Sequence, residues 1–186
     1  MKKFLSILMV MTLVLSLSLT AFAAGNTGSI TITNATLGED YHAYKIFDAT
    51  FVEGSDTVSY TMDPSNQFYP IFFDADGKPT AENKYFVLNT NTNGVSKAEG
   101  VNDSELTTYL QTLVNENNSF VPDASKNDVT DNVVTFNNLE YGYYVVKTTL
   151  GATVTLNSNT PDVNVIDKNQ IPGGEFDKSV QNGVDA

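Results

Sequence analysis

Near the end of the chain, Val163-Asn164-Val165-Ile166-Asp167-Lys168-Asn169 sets a lysine at the end of an alternating run, just ahead of Pro172-Gly173-Gly174. If the run is a strand, Val163 and Val165 share one face with Asn169, and Lys168 lies on the other with Asn164 and Ile166. An amine pointing outward there can enter another enzyme's site and join this chain to a neighbour. With an ordinary pKa near 10.4 it must first lose a proton, to a neighbouring acid or to that enzyme's pocket. The plain alternative is a solvated strand-end lysine, as most lysines are.

Other chemistry is sparsely supplied. The chain has one histidine, His42, and no cysteine, so Cys/His catalysis and multi-histidine metal centres are unavailable. His42 sits in a tyrosine-rich run with no nucleophile elbow anywhere, which makes it an edge or surface histidine. Asp74-Ala75-Asp76-Gly77 looks like part of a calcium loop but lacks a third ligand before the glycine and the closing glutamate, so it reads as a turn. Carboxylates are too abundant for any two to stand out as a glycosidase pair. No metal, cofactor or catalytic residue is expected. Aromatics make up 11% of the chain with no tryptophan. Phe47, Phe136 and Tyr144 read as core, with a carbohydrate-binding tyrosine face as the alternative.

The elements that position Lys168 begin with the compartment. Lys2 and Lys3, a short apolar run over residues 5–19 and the small-x-small site Ala21-Phe22-Ala23 form a secretory signal, with cleavage expected after Ala23. The run is too short to span a bilayer. No cysteine follows it to carry a lipid. All ten basic residues are lysines and two leave with the signal, so eight face 22 acids and the net charge moves from −12 to −14. So acidic a surface excludes nucleic acid and anionic membranes as partners. With no cysteine there is no disulfide framework, although an exported chain could have used one.

Strand patterns dominate the remainder. Ser29-Ile30-Thr31-Ile32-Thr33 alternates, and runs over 41–51, 58–62, 85–88, 133–136, 143–148, 152–156 and 163–166 follow, separated by Asp76-Gly77, Asn93-Gly94 and other turn residues. Leu106, Tyr109, Leu110, Leu113 and Val114 give one helix, with Asn102 and Glu105 as its capping box. Residues 122–131 read as an Asn/Asp-rich loop. The pattern predicts an all-β antiparallel sandwich with one short helix inserted over a sheet edge or end.

Three segments, Tyr41-His42-Ala43-Tyr44-Lys45-Ile46-Phe47-Asp48, Leu139-Glu140-Tyr141-Gly142-Tyr143-Tyr144-Val145-Val146, and Val163-x-Val165-Ile166-Asp167-Lys168-Asn169 with Ile171-Pro172, occur in an order that resembles the N-terminal domain of Gram-positive sortase-assembled backbone pilins. The resemblance runs from the signal to about Val180. It implies a CnaB-like, immunoglobulin-like sandwich, export to a cell-wall pilus, and identical subunits and a pilin sortase as partners, with host surface ligands also in view. It further implies that Lys168 attacks the thioester joining sortase to another subunit, with Val163, Val165 and Asn169 as supporting motif positions. The family's WxxxVxVYPK is matched loosely: Ile166-Asp167 replaces Tyr-Pro, and Asn159 stands where tryptophan would.

Such domains often carry an internal Lys–Asn amide promoted by a buried acid. Here Asn34 occupies the lysine position and Thr148 the acid position. Only Asn169 keeps its role, so no internal amide is expected over 24–170, with Lys45 a weak substitute donor on a face with Ala43, Phe47 and Ala49. The resulting organisation is a signal peptide (1–23), a pilin sandwich domain (24–170), a linker (171–175) and the first strand of a second domain (176–186), in which Lys178 takes the donor position. Lacking a sorting signal, the sequence reads as a fragment of a longer pilin. The runner-up function is an adhesin or tip module binding host glycan or matrix protein.

Overall fold

The computed structural model describes residues 27–51, 57–147, 152–156 and 160–167. They form ten strands: β1 (Thr27–Thr33), β2 (Tyr41–Phe51), β3 (Val58–Thr61), β4 (Phe86–Asn89), β5 (Gly94–Lys97), β6 (Ala124–Lys126), β7 (Val133–Glu140), β8 (Gly142–Lys147), β9 (Ala152–Leu156) and β10 (Asp162–Ile166). Two helices join them, the single turn α1 (Tyr69–Phe72) and the longer α2 (Asp103–Glu116). The strands make a three-stranded sheet, β10-β1-β7, and a seven-stranded sheet, β4-β5-β3-β2-β8-β9, with β6 paired to β2.

The all-β sandwich read from the sequence is the architecture observed, with two differences. Among the described residues all strand pairs are antiparallel except β1 with β10, which run parallel from Ser29 opposite Asp162 to Thr33 opposite Ile166. A parallel pair needs a long crossover, and here nearly the whole domain serves as one. The second difference is the extent of the helix's cover: it lies over β8 and the edge strand β9, on an outer face of the seven-stranded sheet that is itself apolar.

Alternation along β2 and β8 explains why both faces need covering. Tyr41, Ala43, Tyr144 and Val146 point between the sheets, where they meet Ile30, Ile32, Val134, Phe136 and Leu156. Tyr44, Ile46, Phe47 and Val145 belong to a second core beneath the helices, with Phe68, Phe72, Phe86, Leu106, Leu110 and Val114. Leu106, Leu110 and Val114 are the buried stripe of α2, four residues apart as one helical face requires. Asn102 caps the helix, its side chain accepting from Glu105 N at 2.7 Å. The core roles expected of Phe47, Phe136 and Tyr144 hold, since all three are buried.

Two local features depart from simple alternation. A bulge in β2 pairs Lys45 with Tyr144 but Phe47 with Tyr143, so Phe47 turns to the helix side and does not share a face with Lys45. Asn138, with φ 57°, absorbs the extra residue where β7 passes Gly28 and Ile30; asparagine tolerates this left-handed conformation better than most residues. The stretch read as a loop after Pro122 contains β6, which pairs with the start of β2. The Asp74–Gly77 segment is a turn: Asp74 Oδ1 accepts from the backbone N–H groups of Asp76 and Lys78, both at 2.9 Å, and Gly77 has φ 77°.

Candidate functional site

The last strand delivers the chain to the lysine singled out in the sequence. Along β10, Val163 and Val165 are half-buried and pack against the inter-sheet core, while Asn164 is exposed and Ile166 is 64% exposed. That is the alternation the sequence predicts, and it continues one step further: Asp167 turns inward and is only 3% exposed.

Burial of an acid needs partners, and Asp167 has them. Tyr41 donates its hydroxyl hydrogen to Asp167 Oδ2 at 2.5 Å, and that hydroxyl oxygen accepts from Thr36 N at 2.7 Å. The Asp167 backbone N–H donates to Thr33 O at 2.9 Å. Burial and then the bond to Asp167 raise the Tyr41 phenol above its ordinary pKa, which keeps the hydroxyl a donor. The other end of β10 is held where Ser29 N donates to Pro161 O at 2.8 Å and Ser29 Oγ to Asp162 Oδ1 at 2.7 Å. Gly28 leaves the space for this, since a Cβ there would overlap the Pro161 carbonyl. Lys168, Asn169 and Lys178, like Ala21 and Ala23 of the signal, lie outside the described residues, as does Thr148.

A second polar cluster surrounds Lys45. Its Nζ lies 2.8 Å from Asp48 Oδ1 and 2.5 Å from Glu140 Oε2, and the Lys45 backbone N–H donates to Asp123 Oδ2 at 2.7 Å. Burial alone would lower the Lys45 amine, but the two carboxylates outweigh it and hold the amine above its ordinary value. Lys45 lowers Glu140 in return. Asp123 is pushed up by burial, partly offset by the Lys45 N–H. The ion pairs tie β2 to the end of β7, and the Lys45 backbone ties β2 to Asp123 just ahead of β6.

Asn34 follows β1 directly with φ 59°, next to Thr33, which anchors Asp167. His42 Nδ1 lies 2.9 Å from Ser125 Oγ across the β2–β6 pair, a structural cross-strand contact. Among the described residues no group of three or more His, Asp or Glu side chains could hold a metal ion, and no helix is long and apolar enough to cross a membrane.

Sequence reasoning missed the Tyr41–Asp167 pair and the partners of Lys45. The first had a signal, an acid on the valine face of β10; the second depends on Glu140 reaching back from another strand. Neither protein-family models nor curated proteins give a match to this chain.

Proposed function

We propose that the chain is a structural subunit of a covalently polymerised cell-surface pilus, exported through the signal ending at Ala23, with no catalysis of its own. In this reading Lys168 accepts a neighbouring subunit from a pilin sortase: its amine attacks the thioester carbonyl, the enzyme's thiol leaves, and an amide joins the two chains. Identical subunits and the sortase are the partners, and Lys178 belongs to the donor position of a following domain.

The observation that supports this best is the anchoring of β10. Val163 and Val165 pack inward and Asp167 is tied to Tyr41 and Thr33, so the backbone is fixed up to the residue before the lysine. A tethered approach of this kind lowers the entropy lost when a nucleophile is positioned.

Lys168→Ala in cells that carry the pilin sortase is the test. Ladders of covalent multimers disappear if Lys168 is the acceptor. Ladders that persist unchanged reject the reading and leave adhesion through a non-covalent surface in its place.

A further inference from the structure

On the helix-bearing side of the seven-stranded sheet, across that sheet from β10, a cleft of about 330 Å³ opens between α2 and strands β2–β5 and β8. Its floor is apolar, made by the buried Phe47, Phe86 and Leu106. Half-buried Tyr60 and Tyr143 form the walls, their rings edge to face with centroids 5.7 Å apart and each just over 6 Å from Phe47. The mouth is polar, with Ser96, Lys97, Asp103 and Thr107, and Lys97 Nζ reaches Asp103 Oδ1 at 2.5 Å. The Asp103 side chain is 89% exposed, which leaves it open to a ligand at the mouth.

We propose that this cleft binds one neutral hexopyranose unit of a glycan. A sugar ring has a face of C–H groups and a rim of hydroxyls, so it satisfies both halves of the site. The half-buried rings of Tyr60 and Tyr143 attract polarised C–H groups, above a floor closed by Phe47. At the mouth the Asp103 carboxylate accepts from ring hydroxyls, the Lys97 ammonium donates to them, and Ser96 and Thr107 do either. A purely apolar ring would use the floor alone. The volume lies at the small end of ligand pockets, which suits a single ring. The excess of acids, 22 Asp and Glu against ten lysines in the full sequence, opposes acidic sugars and selects neutral ones. No lining residue lies on β10, and a shaft subunit could carry this site without change to its linkage.

Saturation-transfer NMR of the protein with the methyl glycosides of glucose, galactose, mannose and N-acetylglucosamine, with indole as the apolar comparison, provides the test. At least one glycoside should show transfer and millimolar binding. Asp103→Asn, a surface change, should weaken it about fivefold through the lost charged acceptor, and Tyr60→Ala about tenfold through the lost wall. Indole binding in the absence of glycoside binding, no transfer from any of the four sugars, or sugar binding unchanged in a folded Asp103→Asn variant would each overturn the proposal.

Discussion

Tyr41→Phe removes one oxygen atom from between the sheets, and the structure sets what that atom is worth. It donates to Asp167 Oδ2 at 2.5 Å and accepts from Thr36 N at 2.7 Å, with Tyr41 1% and Asp167 3% exposed. A hydrogen bond to a carboxylate contributes about 1.5–3 kcal/mol and a neutral one about 1 kcal/mol. Solvent cannot readily replace either bond at this depth. The substitution should therefore cost about 3 kcal/mol, or on the order of 10 °C in thermal midpoint for a domain of this size. Urea unfolding followed by circular dichroism measures it, in a cycle of Tyr41→Phe, Asp167→Ala and the double variant. If the bond acts as described, the single costs are not additive and the coupling exceeds about 1 kcal/mol. Hydrogen exchange at the Asp167 amide, which donates to Thr33 O, should quicken in both single variants. A loss below about 1 kcal/mol, or costs that simply add, would show that the pair does not hold the end of β10 and would remove the main support for an anchored approach to Lys168.

Further outcomes follow from the same contacts. Asn102→Ala removes the acceptor for Glu105 N and should cost about 1 kcal/mol in urea unfolding. Gly28→Ala would drive a Cβ into the Pro161 carbonyl and should lower the thermal midpoint, with exchange accelerated first in β10. Asp123 carries a raised pKa, so its contribution to stability is complete below the unfolded value of about 4 and is lost as pH rises through the folded one. Asp123→Asn should flatten that part of the urea midpoint against pH, while Glu140, whose pKa is lowered, gives a small opposite slope as pH falls. Intact mass of the exported protein should equal the sequence mass of the cleaved chain. A deficit of one ammonia would show an internal Lys–Asn amide that the Asn34 and Thr148 positions argue against.

Strands were legible wherever one face meets a core and the other meets water. Period-two alternation located β1, β2 and β10, and the Leu106–Leu110–Val114 stripe located α2, because burial imposes those periods directly. The short β5 and β6 were not legible as strands. Ala124–Lys126 is three residues among Asn and Asp, extended because β2 offers it a partner, which is a property of the fold and not of the segment. The bulge that separates Lys45 from Phe47 was invisible for a related reason, since an alternating run does not reveal where its partner holds one residue fewer. At the candidate site, the faces of Val163 and Val165 could be read, but the partner of Asp167 could not. Tyr41 is 126 residues away, and only the closed sandwich brings it there.

The parallel pairing of β1 and β10 has a mechanical meaning. The start of β1 and the end of β10 lie at opposite ends of two adjacent strands, with Ser29 opposite Asp162 and Thr33 opposite Ile166. Tension between the two ends would slide one strand along the other, loading the paired stretch Ser29–Thr33 against Asp162–Ile166 all at once instead of peeling it open bond by bond. Rupture then requires the contacts to fail together, which single-molecule stretching would record as a high, abrupt unfolding force.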